Sequence, residues 1–253
     1  MMLLLAKLVL TPSMMYFASA AGRRWGPGVS GWLTGLPLLA GPISVFICIE
    51  QGPGFAAHAA GSTLLGMWSS CAFCLAYYAA RRSGWVVASV AAIAAFTAGT
   101  ALLHQAHVTP WIGIAGVFVG AALGRWTIRA PTARPVAVAP PRWDMPARLV
   151  IAAAFVLVQT GIAGWLGPQL SGLVIPFPIV VILLTAFAHR QFGIDGAVRV
   201  LRGFLVGMYA FAAFFLVVAL GLEPLGAWLT YTIALAICLI INGAALWGLR
   251  QGL

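Results

Sequence analysis

Gly26-Pro27-Gly28-Val29-Ser30-Gly31 recurs 141 positions later as Gly167-Pro168-Gln169-Leu170-Ser171-Gly172. The match continues without a gap through Pro37 and Pro178, Phe46 and Phe187, Gly52 and Gly193, Leu64 and Leu205, Gly66-Met67 and Gly207-Met208, and Ala72-Phe73 and Ala213-Phe214. Fourteen of the fifty positions from 26 to 75 are identical at this offset. Roughly four or five matches are expected from so biased a composition, so the alignment favours a duplicated chain.

The material being duplicated is apolar. Of 253 residues, 62% are hydrophobic and 7% charged, too little polar surface to cover a water-soluble globule. A hydrocarbon core of roughly 30 Å takes about 20 apolar residues per helix. Apolar runs bounded by glycine, proline or charge fall near 2–20, 29–49, 57–80, 85–103, 110–127, 148–166, 171–189, 200–221 and 226–249. The expected fold is therefore an all-α integral membrane protein of about nine transmembrane helices. Ala18-Ser19-Ala20 resembles a signal-cleavage site, but Arg23-Arg24 directly afterwards hinders translocation, so the first run reads as a retained helix.

A shift of 141 carries helices 1 to 4 onto helices 6 to 9 and leaves helix 5 unmatched, and an odd displacement inverts the direction of crossing. The expected organisation is 4+1+4: an N-terminal four-helix repeat over 1–107, a connector helix and cytoplasmic linker over 108–147, and an inverted four-helix repeat over 148–253. Fused fluoride channels join two four-helix units by an extra helix in the same manner, an analogy of architecture alone.

Charge fixes the expected orientation. The formal net charge is +10, which in a soluble protein would suggest nucleic acid; here the arginines fall in loops and no nucleic-acid partner is expected. Arg23, Arg24, Arg81, Arg82, Arg125, Arg129, Arg134, Arg142, Arg148, Arg190, Arg199, Arg202 and Arg250 all lie on one side of a nine-helix parse. The positive-inside bias then places the N-terminus in the periplasm and the C-terminus in the cytoplasm of a bacterial inner membrane. The opposite side carries Glu50, His58, His104, His107 and Glu223.

Ser171-Gly172-Leu173-Val174-Ile175-Pro176-Phe177-Pro178, the later Gly193-Ile194-Asp195 and the first-half Gly66-Met67-Trp68-Ser69 resemble the small bacterial inner-membrane proteins of the GlpM/YdgC type. Those are single units, and the resemblance covers one repeat at a time. The first half departs from it at Gly35-Leu36-Pro37, where the second half has Pro176-Phe177-Pro178. What the resemblance implies is an inner-membrane protein with a loose association with exopolysaccharide production, and no defined reaction.

Candidate path residues follow from the polar positions. Ser30, Thr34, Pro37, Gly41, Ser44 and Cys48 recur at four- and three-residue spacing, on one face of a helix; Ser171, Ile175, Pro178, Ile182, Thr185 and His189 are their counterparts. A proline inside a membrane helix frees backbone carbonyls, and such breaks in both halves point to a substrate site. Small residues that let helices pack closely account for the same face without function. Gln159 and Asn242 are amides at membrane depth and join the expected path. Glu50, with Gln191 as counterpart, is an expected entrance.

No cofactor, metal or catalytic constellation is expected. His104-x-x-His107 lacks defined ligand geometry, Cys71-x-x-Cys74 has no neighbouring charge to activate a thiolate, and no phosphate-cradling loop or paired carboxylate is recognisable. The leading expectation is a transporter of a small or lipid-linked solute working by alternating access. The rivals are a pseudo-two-fold channel and a non-transporting accessory protein for envelope polysaccharide or lipid processing. Expected partners are membrane lipid and the solute, with a homodimer or an envelope-biosynthesis protein as further candidates.

Overall fold

Glycine and proline punctuate the apolar sequence at regular places, and the helices begin and end there. The computed structural model describes residues 36–104, 109–131 and 144–250, with isolated positions between 9 and 34. Among the described residues the chain is helical without a strand: α1 (Ala40–Gln51), α2 (Pro53–Ala80), a 3-10 turn (Arg81–Ser83), α3 (Trp85–Leu103), α4 (Pro110–Thr127), α5 (Asp144–Val174), α6 (Ile179–Leu225) and α7 (Ala227–Arg250).

Two of these are broken internally. Gly167 interrupts α5 (φ 73°, ψ 171°) and Gly193 interrupts α6 (φ 67°, ψ −165°). The expected boundary between the runs 148–166 and 171–189 thus lies at Gly167. The run 171–189 is itself divided, because helix stops at Val174 and resumes at Ile179. In the first half the run 29–49 is divided in the same way: Val29, Trp32 and Leu33 are helical, and after a non-helical stretch around Pro37 helix resumes at Ala40. Proline causes both divisions: it lacks an N–H, and it biases the residue before it away from helical geometry.

The two breaks have the same backbone. Leu36 N–H donates to Leu33 O, Leu38 N–H to Leu36 O and Gly41 N–H to Pro37 O, at 3.0, 2.7 and 2.8 Å. Phe177 N–H donates to Val174 O, Ile179 N–H to Phe177 O and Ile182 N–H to Pro178 O, at 2.9, 2.7 and 2.8 Å. Every donor and acceptor is displaced by 141 positions. Gly52 (φ 94°, ψ 164°) and Gly193 share a conformation open essentially to glycine alone, and they too stand 141 apart. Gly84 and Gly226, before α3 and α7, repeat it at an offset of 142.

Packing separates a core from a periphery. α2 packs on α1, α3, α4, α5 and α6, while α6 packs on α2, α4 and α7. Both are 67% buried over their most apolar windows, against 17% for α3 and 22% for the α7 window. Val86, Val87 and Val90 of α3 and Leu235, Leu239 and Ile240 of α7 stay exposed. Apolar side chains on such outward faces suit lipid as solvent.

Among the described residues, four helices are long and apolar enough to cross a membrane: Pro53–Ser83, Trp85–Leu103, Ile179–Leu225 and Ala227–Ala244. A fifth is gained if Met145–Val158 and Thr160–Val174, inclined at 60°, form one span. Pro110–Thr127 is not among them. Arg125 lies in its last turn, and a charge there lowers the mean hydropathy of a short segment. Of the nine expected runs, 2–20 lies largely outside the described residues.

Candidate functional site

A cavity of about 50 Å³ lies between the two helix breaks, walled by Thr34, Leu36 and residues 38–40 of the first, by residues 175–181 of the second, by Phe155 of α5 and by the middles of α2 and α6. Its walls are paired by the repeat: Leu39 with Val180, Ala40 with Val181, and Met67 with Met208 all line it. The pairing fails in chemistry at two places. Thr34 is matched by Ile175 and Ser70 by Phe211, so both side-chain hydroxyls of the wall come from the first half.

Close backbone approach builds the site. A Cβ on Gly66 would stand 2.5 Å from the Leu173 carbonyl oxygen and 2.7 Å from Pro176 Cγ, and one on Gly172 would stand 2.1 Å from the Ala59 carbonyl oxygen. Glycine at these positions lets the broken segment lie against α2. Ser70 Oγ then donates to the Pro176 carbonyl at 3.0 Å, satisfying a carbonyl that the break removes from helical bonding.

Among the described residues that line it, none is charged. Burying an ion costs several kcal/mol even after relaxation. The N-termini of α1 and α6, which begin at Ala40 and Ile179 in the wall, favour an anion by about 0.3–1 kcal/mol each, up to ~2 in favourable geometry. Desolvation outweighs dipole, and the cavity suits uncharged matter.

The other expected site residues are dispersed. Thr34 and Pro178 line the cavity, and Pro37 is buried in the break beside it. Ser44 Oγ shares a hydrogen bond with Tyr231 Oη at 2.9 Å, joining α1 to α7. Ser171 Oγ donates to Ala163 O at 3.0 Å across the Gly167 interruption. Thr185 is fully buried with a hydroxyl that has no hydrogen-bond partner among the described residues. Asn242 is 2% exposed and both its amide atoms lack partners among the described residues, while its backbone carbonyl accepts from Trp32 Nε1 at 3.2 Å. Ser30 and the Gln159 side chain lie outside the described residues. Met67, Ser70, Met208 and Phe211 line the site without having been singled out for it; the Met67 and Met208 identity in the internal alignment was the available signal.

The two ends of the helices differ. At one end a cleft of about 590 Å³ is lined by His58, Ser62, Thr109, Gln169 and Glu223, among others. Glu50, expected at an entrance, is exposed near the end of α1 but does not line this cleft. Arginines gather at the other end. Arg202 donates to the carbonyls of Arg125 and Ile128, Arg199 donates to Pro131 O at 3.4 Å, and the Arg81 guanidinium lies 3.7 Å from the Tyr78 ring centroid.

Cys48, Cys71, Cys74 and Cys238 are buried free thiols, and Cys71 Sγ approaches Met208 Sδ at 3.9 Å. Among the described residues no group of three His, Cys, Asp or Glu side chains is placed to hold a metal ion; His107 lies outside them. Comparison with protein families, with curated proteins and with solved structures finds no match to this chain.

Proposed function

We propose that this chain is a nine-span transporter of the bacterial inner membrane, in which two inverted four-helix units rock about the cavity between their broken helices. The observation that carries the reading is the cavity itself, walled by matching residues of both halves at matching backbone breaks. Discontinuous helices in corresponding positions of two repeats are how many transporters place a substrate site near the bilayer midplane. The small cavity is partly open, and the cleft beside His58 and Glu223 is its periplasmic approach in this reading. The arginine end is the cytoplasmic one by the positive-inside bias. The connector is the segment around α4, and the resemblance to GlpM/YdgC-like proteins belongs to the same reading.

Purified protein in proteoliposomes tests it by stopped-flow light scattering with urea, acetamide and glycerol, and by tracer uptake of small ions. Saturable, protein-dependent flux that is lost in Met67→Trp and Met208→Trp supports transport. Flux without saturation favours the channel, and absence of flux with a co-purifying partner favours the accessory role.

A further inference from the structure

The central cavity is lined largely by paired positions of the two halves but is asymmetric in chemistry, and the asymmetry identifies the kind of molecule it accepts. We infer that it binds a small uncharged amphipath of about four non-hydrogen atoms, such as a short alcohol or primary amide, with its polar end held at Ser70 and the Pro176 carbonyl. The inference rests on the cavity being the transport site, and narrows the substrate from a small or lipid-linked solute to a small neutral one.

Size comes first. One water needs roughly 10–15 Å³ of such space, so a 50 Å³ cavity takes about four water-sized positions. A lipid-linked sugar does not enter a space of that size. Charge comes second: with no ionised group in the wall, an ammonium or carboxylate would give up its hydration without an opposite charge to replace it.

Orientation comes from the broken pairing. Ser70 spends its proton on Pro176 O at 3.0 Å, which leaves lone pairs on both oxygens to accept from one hydroxyl or amide N–H. The equivalent position in the second half is Phe211, and Phe204 and Met208 extend that side. These offer contact area and no donor. A ligand with one donor and an apolar end fits one way round, whichever side of the membrane it comes from.

The test uses the full chain in lipid nanodiscs and fluorine NMR with three probes of similar size: 2-fluoroethanol, 2-fluoroethylammonium and fluoroacetate. Protein-dependent broadening is expected for 2-fluoroethanol and absent for the two ions. Ser70→Ala is expected to weaken 2-fluoroethanol binding about ten-fold, the effect of one lost hydrogen bond, and Met67→Trp or Met208→Trp to abolish it in protein that remains monodisperse. Equal or stronger broadening by either ion overturns the inference, and the wild-type comparison suffices for that if a variant fails to fold. So does 2-fluoroethanol binding that survives both tryptophan variants. Saturable flux without 2-fluoroethanol binding refutes the substrate class alone. Binding without flux of any solute refutes transport alone.

Discussion

Ser70, buried in α2, donates its hydroxyl proton to the carbonyl oxygen of Pro176 at 3.0 Å, tying a helix of the first half to the helix break of the second. Replacing it by alanine leaves that buried carbonyl without its donor. The expected cost of Ser70→Ala is about 1–3 kcal/mol, read as a lowered Tm in detergent, with Ser70→Thr, which keeps the hydroxyl, recovering most of the loss. An unchanged Tm for Ser70→Ala would mean that the break does not depend on this bond.

Gly66 is the closest approach of α2 to the same break. Gly66→Ala would put a methyl 2.5 Å from the Leu173 carbonyl oxygen, where backbone must move, and overpacking of this kind costs about 1–3 kcal/mol. Gly61→Ala is the control, since its nearest neighbour would be Pro110 Cγ at 3.7 Å. A clear drop in Tm is expected for the first and little change for the second; similar behaviour of the two would show that α2 and the break are not in close contact.

Gly52 and Gly193 test the repeated turns. Each has positive φ with extended ψ, and neither has a neighbour within 4 Å of an added Cβ. Alanine there costs backbone strain rather than collision, about 1–3 kcal/mol at each site, and by similar amounts because the conformations match. Gly161→Ala, which lies in helix with open space around it, is expected to be neutral or to stabilise by up to about 1 kcal/mol. Thermal unfolding of the three variants measures the comparison.

How far this could be foreseen depended on which residues leave a trace in an apolar sequence. The internal offset of 141 was legible because Gly-Pro, Pro37 and Gly52 all recur, and these residues govern backbone geometry rather than packing. The two breaks were visible as prolines, but their extent was not: helix restarts at Ala40 and Ile179, and the intervening Leu36, Leu38, Leu39, Ile175 and Phe177 look the same in a helix as outside one. Polar residues drew attention to Ser44, Ser171 and Asn242, which the fold uses elsewhere. The cavity wall is mostly Met, Phe, Leu, Ile and Val, types that sequence alone assigns to core, so Met67 and Met208 could be found only by noticing that they are each other's counterparts. Glu50 was chosen by charge, whereas the cleft is built by Glu223 and His58, brought together from α6 and α2.

Ser44 and Thr185 occupy equivalent positions with unequal bonding, and their variants should differ. Ser44→Ala removes one partner of the 2.9 Å contact and leaves Tyr231 Oη with the weaker Cys48 thiol beside it, an expected loss of about 1 kcal/mol. Thr185→Val replaces a buried hydroxyl that has no hydrogen-bond partner, so stability is expected to hold or to rise. Scanning fluorimetry on both variants provides the check, and a destabilised Thr185→Val would reveal a bonded hydroxyl there.

Arg82 and Glu223 are counterparts under the 141-residue shift, and their sidedness bears most directly on the inverted arrangement. In a background where Cys48, Cys71, Cys74 and Cys238 are replaced, Arg82→Cys and Glu223→Cys can be labelled with a membrane-impermeant maleimide in intact cells and in inside-out vesicles. Inversion requires Glu223→Cys to react from the periplasm and Arg82→Cys only from the cytoplasm. Labelling of both from the same side would mean that the two halves run parallel, and alternating access between inverted units would have to be abandoned.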